Sequence, residues 1–538
     1  MKKKFLFLSM LVSACSFSLL ADKTIYVDPI DGSDLKNGTS WENAIRSLSL
    51  LPNMTSEGEL TIVQLKENSE FEDVDNVDFG TKNINLVLEG NNATIKGKSS
   101  DKRMFRVAGP DSKMVLKNTV FRDKFTDGWY CGAVLIYVGE ELTVEGCRFI
   151  NNSCQTGGAA LACRSVRVTI RNSYFQDNKA TVTNLDTEGG AVKQSGRRDI
   201  SSYLIIENST FEGNTVYKGD GSAIGFYDRT GNNGSTVGDL CEVRIINCTF
   251  FDNKSLNPTA ANVGAAVHFD YDMNNYGNKV PIDGLLVNNT FYGNAPAVSL
   301  EHKNSMFFIN NVAVNWDDSS TAAAILKTDM NTAGQTTKGW NNVLISLKMP
   351  SPSREPDFVT GVKGNMVSQS FADIDDLGLD DFLTKPRSTD PFFVPYMAIN
   401  AANSPLVNSG LDHGLVFFYG EEIIPATDVR KFCRNSIPDR GAYEWEGIEN
   451  GDCIENNSIR EIKNDNDLFI LYRNPNEVLL INKINRSLNV KIVSLDGKII
   501  ANEAVTSVLT LNRKDFTPGV KIILVNDGKT TLSQKVLF

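Results

Sequence analysis

The side chains best suited to chemistry follow a series of small-residue blocks in the middle of the chain. Aligning these blocks places Lys193 and His268 at one position of successive segments, and Tyr227 and Asp270 two residues further along. Because alternate residues of a strand point to the same side, we expect these four side chains to share one face of a sheet. Further polar and aromatic residues occur at the same positions or directly beside them, namely Tyr137, Asp228, Arg229 and Asp272.

One reaction that such a face can support is elimination on a polysaccharide. A lyase needs a base that removes the proton beside a sugar carboxylate, and the candidate bases are Lys193, Arg229 and His268. It also needs a cation or a metal ion that holds the carboxylate. Asp270 and Asp272 carry the oxygen ligands that Ca²⁺ prefers, so calcium is the one cofactor that the pattern leaves open.

A second reaction is glycoside hydrolysis, which requires two carboxyl groups at a fixed separation. Asp228 and Asp270 are the candidate pair. In either reaction Tyr137, Tyr227, Asp228 and Asp272 are the residues expected to contact the substrate. The simpler interpretation, which we favour, is that all of these residues are solvated side chains on an exposed sheet face.

A sequence repeat positions these residues. Each copy begins with alternating apolar residues, the period-two pattern of a strand, and ends in a phenylalanine. The phenylalanines are Phe121, Phe149, Phe175, Phe211, Phe250 and Phe291. An asparagine precedes most of them, at Asn118, Asn172, Asn208, Asn247 and Asn288. A second asparagine lies three residues after the phenylalanine, at Asn152, Asn178, Asn214, Asn253 and Asn294. A block rich in Gly and Ala follows this asparagine.

This repeat predicts a parallel β-helix. The phenylalanines are spaced by 26 to 41 residues, whereas one coil needs about 22 residues, so the additional residues form loops. In such a fold the phenylalanines stack inside the coils, the asparagines form left-handed turns or bond along a ladder, and small residues allow a tight corner. A propeller would show hairpin turns and a leucine-rich repeat a shorter period, and neither pattern occurs.

Charge and cysteine content narrow the choice of partners. The net charge of the 538-residue chain is -11, which argues against nucleic acid as a partner because phosphate binding requires clustered Lys and Arg. None of the nine cysteines shows a convincing zinc-binding spacing. We expect these cysteines to be buried between coils or joined in local disulfides.

The N-terminal segment is typical of an exported protein. Three lysines at positions 2–4 precede an apolar run over residues 5–20, and Ala21 offers a cleavage point. The alternative is lipidation at Cys15, which follows a lipobox-like Val12-Ser13-Ala14. No later apolar run is long enough to span a bilayer, so we expect no transmembrane segment after removal of the signal.

The repeat and the segments beside it resemble known exported families. Phe-x-x-Asn followed by Gly-Gly-Ala, over about residues 114–294, resembles the repeat of polymorphic outer-membrane proteins and of pectate-lyase-like β-helices. Residues 25–44 are similar to the opening of many exported β-helix proteins, where they lead into a capping strand and helix.

A later stretch resembles the choice-of-anchor Q module, which closes a β-helix ahead of a surface anchor. Its matching motifs are Asp390-Pro-Phe-Phe-Val394, Asn403-Ser-Pro405, Asn408-Ser-Gly410 and Pro438-Asp-Arg-Gly-Ala-Tyr-Glu444. Arg440 stands where that family usually has isoleucine.

The end of the chain resembles the type A sorting domain of the type IX secretion system. The matching motifs are Tyr472-Arg-Asn-Pro475, Val490-Lys-Ile-Val-Ser-Leu-Asp-Gly-Lys498, Pro518-Gly-Val520 and the terminal Lys535-Val-Leu-Phe538. Lys521 stands where the family usually has tyrosine. The resemblance implies a small β-sandwich, passage through the outer membrane and removal of this domain.

Together these features predict an all-β protein, a right-handed parallel β-helix followed by a small C-terminal β-sandwich. The expected parts are a signal peptide at 1–21, the β-helix at 22–447 with its closing module at about 354–447, a linker at 448–466 and the sorting domain at 467–538.

The function that we expect is glycan binding or adhesion by a secreted or cell-surface protein, because the usual catalytic motifs of pectate lyases and polygalacturonases are not found. Polysaccharide lyase or glycoside hydrolase activity is the alternative, and a purely structural spacer is a third. The expected partners are a polysaccharide or a host or cell-surface glycan, and the type IX secretion machinery through residues 467–538.

Overall fold

The computed structural model of the protein consists almost entirely of β-strands. It describes residues 23–126, 132–164, 166–183, 187–195, 202–228, 241–257, 264–271, 282–294, 296–300, 305–315, 326–328, 336–346, 357–368, 376–380, 394–411, 417–418, 421–422, 424–435, 437–447, 469–473, 477–482, 487–494, 498–506, 508–512, 515–516, 520–528 and 531–537.

The first coils contain the longest strands of the β-helix. Their strands are β1 (Lys23–Val27), β2 (Leu60–Leu65), β3 (Glu70–Val74), β4 (Val77–Asp78), β5 (Asn85–Gly97), β6 (Phe105–Val107) and β7 (Lys113–Arg122). A 3-10 turn (Leu48–Leu50) and the short helix α1 (Leu51–Met54) separate β1 from β2. Leu48 and Leu51 are buried here and cover the N-terminal end of the core.

The central coils repeat a pattern of short strands. They are β8 (Val134–Ile136), β9 (Glu141–Glu145), β10 (Arg148–Ile150), β11 (Ser153–Cys154), β12 (Leu161–Arg164), β13 (Arg167–Arg171), β14 (Tyr174–Gln176), β15 (Lys179–Ala180), β16 (Thr187–Glu188), β17 (Val192–Ser195), β18 (Ser202–Glu207), β19 (Thr210–Glu212), β20 (Thr215–Val216), β21 (Gly219–Asp220) and β22 (Ile224–Asp228).

The later coils continue the series. They contain β23 (Cys241–Ile246), β24 (Thr249–Phe251), β25 (Lys254–Ser255), β26 (Val267–Tyr271), β27 (Ile282–Val287), β28 (Thr290–Tyr292), β29 (Val298–Leu300), β30 (Ser305–Ile309), β31 (Val312–Asn315), β32 (Leu326–Thr328), β33 (Thr336–Trp340), β34 (Val343–Ser346) and β35 (Met366–Ser368). A 3-10 turn (Val362–Gly364) precedes β35.

Three faces run the length of the coils, and every ladder pairing between their strands is parallel. The first face is the nine-stranded sheet β4-β6-β8-β12-β17-β22-β26-β29-β32. The second face contains β2, β9, β13, β18, β23, β27, β30 and β33, and the third contains β3, β10, β14, β19, β24, β28, β31, β34 and β35. β5 and β7 continue through the bend between the second and third faces, which joins these faces into one sheet. The predicted right-handed parallel β-helix is confirmed.

The first asparagine of each repeat forms the bend between the second and third faces. The φ angles of Asn118, Asn172, Asn208, Asn247 and Asn288 lie between 48° and 55°. Asparagine tolerates this left-handed conformation better than most residues, and Gly146 takes the same place in another coil with φ 61°. The predicted left-handed turns are therefore confirmed.

The predicted phenylalanine column is also confirmed. Consecutive rings from Phe121 to Phe291 have centroids 4.6 to 5.1 Å apart and planes within 10° of parallel. All six rings are buried. The strands pair so that each phenylalanine lies directly over that of the coil below.

The second asparagine of each repeat forms a fully buried ladder. The Nδ2 of Asn152 donates to Oδ1 of Asn178 at 3.0 Å, and the same bond continues through Asn214 and Asn253 to Asn294. Each Nδ2 also donates to a phenylalanine carbonyl, as Asn214 does to Phe175 at 2.9 Å. The buried side-chain amides of this column are therefore all hydrogen-bonded, as buried polar groups usually are.

A further ladder was missed in the sequence. Asn289, Asn311, Asn342 and Asn365 follow the bend in the last coils, and each Nδ2 donates to the next Oδ1 at 2.9 to 3.0 Å. In earlier coils Ser173, Ser209 and the buried Cys147 and Cys248 occupy this column. Because the residue type changes along the column, the repeat alone did not show it.

The described residues between 376 and 447, which we call the lateral segment, pack along the side of the last coils. This segment contains the two-stranded pair β36 (Phe417–Phe418) and β37 (Glu421–Glu422). Ile424 packs on the outward side of the second face, against Leu285 and Ile309, and Leu406 packs on that of the third face. The outward residues of these coils are apolar because the lateral segment covers them. The C-terminal end of the β-helix core is closed separately, by Phe358 packing against Phe308.

A separate β-sandwich follows in the C-terminal part of the chain. Its strands are β38 (Phe469–Arg473), β39 (Glu477–Asn482), β40 (Leu488–Ser494), β41 (Ile499–Val505), β42 (Val508–Asn512), β43 (Val520–Asn526) and β44 (Thr531–Leu537). They form the antiparallel sheets β38-β39-β42 and β41-β40-β43-β44. Leu480 and Leu511 from one sheet share a core with Val490 and Ile523 from the other.

The described cysteines fit the expectation of burial. Cys147, Cys163 and Cys248 are buried free thiols, and Cys154 is also buried. Burial raises the pKa of Cys147, Cys163 and Cys248 to about 12. Cys433 is disulfide-bonded. Across the part of the chain that the structure describes, no helix has the length and apolar character needed to cross a membrane.

Candidate functional site

The candidate catalytic residues lie on the first face of the β-helix. Strand pairing aligns Lys193 with Gly225 and Gly225 with His268, and it aligns Tyr227 with Asp270. These residues therefore take equivalent positions on neighbouring strands, as the aligned blocks predicted.

One coil is shifted from the predicted alignment. Aligning the small-residue blocks by sequence matches Ala160 with Val134 and Val192, whereas strand pairing places Leu161 opposite both. The reason is an additional small residue in the stretch Gly157-Gly158-Ala159-Ala160, which the alignment matched one residue too early. Ala162 and Arg164 consequently occupy the outward positions of this coil.

The corner that precedes the first face covers its first outward column. A Cβ atom on Gly225 would lie 2.8 Å from Cβ of Glu188, and one on Gly189 would lie 2.9 Å from Cα of Lys193. β16, which contains Glu188, pairs with β21 in the same corner. The backbone thus crosses above the column, and Gly225 is needed to admit it.

This covering determines the surroundings of the two best candidate bases. His268 is only 3% exposed, and its Nδ1 lies 2.5 Å from Oγ of Ser299. Lys193 is half-buried, and its Nζ lies 3.9 Å from Oε2 of Glu188. Among the described residues, His268 is thus enclosed by its own protein, whereas the side chain of Lys193 is 26% exposed beside Glu188.

The second outward column begins with a paired aromatic residue and arginine. Nη1 of Arg164 donates to the hydroxyl of Tyr137 at 2.9 Å, and the guanidinium lies 4.8 Å from the ring centroid. Arg164 pairs with Ser195 on the next strand, and Ser195 pairs with Tyr227. Tyr137 is therefore held in a cation–π contact on the face where it was predicted.

The other candidates are described only in part or not at all. Tyr227, Asp228 and Asp270 have defined strand positions, but their side chains fall outside the described part of the structure. Arg229 and Asp272 lie outside the described residues. Among the residues that the structure does describe, no cluster of three or more His, Cys, Asp or Glu side chains is arranged to hold a metal ion. The catalytic, substrate-contacting and calcium assignments of this face stay predictions.

A cleft at the N-terminal coils is a second candidate site. It has a volume of about 580 Å³, within the roughly 300–1,000 Å³ typical of ligand sites. Its walls come from the loop after β1, the end of β2, and the bends of β5 and β7. Its lining residues are Trp41, Gln64, Lys66, Glu67, Asn68, Asn91, Asn92 and Asn118.

Trp41 forms the aromatic wall of this cleft. The indole is 38% exposed, and it packs edge-on against Tyr26 with ring centroids 4.9 Å apart. Nζ of Lys66 lies 4.9 Å from the indole centroid and 3.7 Å from Oδ2 of Asp28. The contacts with Tyr26 and Lys66 hold the indole at the cleft while leaving more than a third of it accessible.

Two aspartates fix the loop that carries Trp41. Oδ1 of Asp28 accepts hydrogen bonds from the amides of Ile30 and Asp31, at 3.0 and 3.1 Å. Oδ1 of Asp34 accepts from the amides of Arg46 and Ser47, at 2.9 and 2.8 Å. These bonds are those of turn-forming aspartates, so they position the loop and with it the indole.

Amide side chains form the opposite wall. Nδ2 of Asn92 donates to Oδ1 of Asn68 at 2.7 Å, and Nδ2 of Asn91 donates to Oε1 of Gln64 at 3.0 Å. Asn118 donates to Oε1 of Glu89 at 2.9 Å. The wall thus offers several fixed donors and acceptors beside one aromatic surface.

Sequence reasoning did not predict this cleft. Trp41 lies within residues 25–44, whose resemblance to the opening of exported β-helix proteins predicts a capping strand and helix but no binding site. The available signal was a tryptophan within a polar, turn-rich stretch, where a large apolar side chain has little to pack against. The bends that complete the cleft come from residues up to 77 positions away, since Asn118 also lines it.

Comparisons with known proteins find similar solved structures only at low identity and low TM-score. No family model matches the sequence, and no curated protein matches it. The crystal structure of pectate lyase Pel9A is similar at 15% identity and a TM-score of 0.42, over 78% of this chain and 96% of that chain. A rhamnogalacturonan lyase is similar at 16% identity and a TM-score of 0.36, over 71% of this chain and 96% of that one. At these values neither likeness says anything of substrate.

Proposed function

We propose that this protein binds glycan without cleaving it. The observation that carries the proposal is the cleft at the N-terminal coils, where an accessible indole faces a row of fixed amides. Sugars present an apolar CH face and a rim of hydroxyl groups, so an aromatic wall beside hydrogen-bonding side chains is complementary to them.

The surroundings of the candidate bases support a non-catalytic role. A base must reach the proton that it removes, either directly or through one water molecule. His268 is buried against Ser299, and Lys193 lies beneath the corner next to Glu188. A polysaccharide chain therefore cannot reach His268 directly, and Lys193, whose side chain is 26% exposed, is only partly accessible.

The proposal includes a location on the cell surface or outside the cell. Its support is the signal-like N-terminus, the choice-of-anchor Q motifs and the type IX sorting motifs, together with a C-terminal β-sandwich where such a domain is expected. The type IX secretion machinery is then the partner of residues 467–538.

The test is to incubate the purified full-length chain with uronate and neutral polysaccharides and to measure binding and products together. We expect saturable retardation in affinity electrophoresis, without the ultraviolet absorbance of an unsaturated sugar and without new reducing ends. Product formation that is lost in a Lys193→Ala or His268→Ala variant would instead establish the lyase or hydrolase function of the first face.

A further inference from the structure

We propose that the cleft beside Trp41 is specific for a neutral glycan and rejects polyuronates. This inference rests on the proposed glycan-binding function and assigns it a site and a ligand class. The ligand would stack a sugar ring on the exposed part of the Trp41 indole and direct its hydroxyl groups to the amides of Asn68, Asn91 and Asn92.

The charges around the cleft favour an uncharged ligand. Lys66 is the lining cation, and its Nζ lies 3.7 Å from the nearly buried carboxylate of Asp28. Glu67 also lines the cleft, and Glu89 lies behind it in a bond with Asn118. A polyuronate would bring further negative charge to these carboxylates, and nearby like charges are repulsive.

The chain itself shows what the amides of this ridge bind. The ridge is the column of bend asparagines between the second and third faces, and its later members are covered by the lateral segment. There Nδ2 of Asn247 donates to the carbonyl of Thr427 at 2.7 Å, and Oδ1 of Asn310 accepts from the amide of Leu411 at 2.7 Å. In its last coils the ridge thus bonds to backbone groups of the lateral segment, and Oδ1 of Asn247 also accepts from the guanidinium of Arg434 at 2.9 Å.

At the first coils the same ridge meets the cleft instead of the lateral segment. Asn118 belongs both to the ridge and to the cleft lining. Asn91 and Asn92, with φ angles of 49° and 63°, form the corresponding bend of β5. Amides of the kind that hold backbone groups of the lateral segment in the last coils are therefore available to the hydroxyl groups of a ligand at the first coils.

The experiment measures binding of the full-length chain to neutral oligosaccharides, namely cello-, manno-, xylo- and chito-oligosaccharides, and to oligogalacturonate and oligoalginate. Isothermal titration calorimetry would be run on the wild type, Trp41→Ala, Glu67→Lys and the control Leu35→Ala. Leu35 is 98% exposed in the same loop and does not line the cleft.

We expect at least one neutral oligosaccharide to bind, and Trp41→Ala to weaken that binding by roughly tenfold or more, as loss of an aromatic anchor does. Leu35→Ala should bind like the wild type. Glu67→Lys should keep the neutral ligand and gain measurable affinity for uronates. Glu67 is exposed, so this variant remains informative if Trp41→Ala does not fold.

The outcomes separate this inference from the proposed function. Tighter binding of uronates than of every neutral ligand by the wild type would overturn the ligand class. Glycan binding that is unchanged in a folded Trp41→Ala variant would overturn the site while leaving the glycan-binding function intact. Failure of the wild type to bind any glycan would overturn both.

Discussion

At the scale of single residues, the two asparagines of each repeat have different physical roles. Asn208 lies at the bend with φ 50°, a conformation that glycine adopts at no steric cost. Asn214 lies inside the coil, fully buried, and bonds to Asn178 and Asn253 through both ends of its amide. The first role depends on the backbone and the second on the side chain.

Substitutions of these two residues should therefore differ in their effect on stability. Asn214→Ala removes the buried oxygen that accepts from the backbone amide and Nδ2 of Asn178, and the Nδ2 that donates to Asn253 and to the carbonyl of Phe175. We expect a loss of about 2–4 kcal/mol in the free energy of unfolding. Asn208→Gly keeps the bend and should lose under about 1 kcal/mol. Urea unfolding followed by circular dichroism measures both, and equal losses would contradict the assigned roles.

Asp439 gives the lateral segment a pH-dependent stability. Burial, and then the negative charge of Glu444, raise the pKa of Asp439 to about 7, against the hydrogen bonds from Trp445 and Asn408 and the charge of Arg434. The side chain of an unperturbed aspartate has a pKa of about 3.9. Between these values the folded chain holds more protons than the unfolded chain, so stability falls as pH rises from about 4 to 7.

Replacing this carboxyl group should flatten the pH dependence. Asp439→Asn cannot ionise, so we expect its free energy of unfolding to change less between pH 4 and 7 than that of the wild type, while one backbone amide loses its acceptor. Unfolding curves at a series of pH values test this, with Asp111→Asn on the exposed surface as the control. If the free energy of unfolding of Asp439→Asn depended on pH as strongly as that of the wild type, Asp439 would not be the cause of the pH dependence.

At the scale of elements, the lateral segment is held to the coils by a buried ion pair. Nη1 of Arg434 lies 3.0 Å from Oε2 of Glu444, and both side chains are fully buried. Nη2 of the same guanidinium donates to Oδ1 of Asn247 at 2.9 Å, which joins the segment to the bend of a coil. One side chain thus bonds within the segment and across to the β-helix.

Removing this guanidinium should release the segment before the coils unfold. Arg434→Ala leaves Glu444 buried without its partner, which is expected to cost about 3–5 kcal/mol. Limited proteolysis should then cut within residues 424–447 while the earlier coils stay resistant. Lys431→Gly is a suitable control, because Lys431 is exposed and has a φ of 69° that favours glycine. Equal protease resistance of Arg434→Ala and the wild type would argue that Arg434 does not hold the lateral segment to the coils.

The elements differ in how far the sequence could predict them. Strands, phenylalanine stack and asparagine ladder were predictable, because stacking places the same residue type at the same position of every coil, from Phe121 to Phe291. The corner over the first face was not, because Glu188 covers Gly225 through a loop whose length varies between coils. The cleft at Trp41 was not, because apart from Asn118 its walls come from a loop and turns that lie outside the repeat.

At the scale of the whole molecule, one ridge of the β-helix has two different surroundings. In its last coils the lateral segment covers the bend asparagines and the apolar residues beside them. In its first coils the ridge borders an accessible cleft with an aromatic wall. The proposed ligand site therefore lies at the first coils of the β-helix, whereas the lateral segment covers the last.

Export provides a test of the sequence-based assignment of the C-terminal sandwich. Deleting residues 467–538 removes the whole sandwich and none of the described β-helix strands. In a bacterium with a type IX system we expect the truncated chain to stay in the periplasm, and the full chain to reach the surface or the medium. Cell fractionation with immunoblotting measures this, and efficient export of the truncated chain would contradict the assignment.

The most direct test of the central claim is a crystal structure of the full-length chain grown with the neutral oligosaccharide that binds it best. We predict an intact oligosaccharide with one ring against Trp41 and hydroxyl groups at the amides of Asn68 and Asn92. A ligand bound or cleaved on the first face beside Lys193 and His268, with the Trp41 cleft free of sugar, would contradict the account.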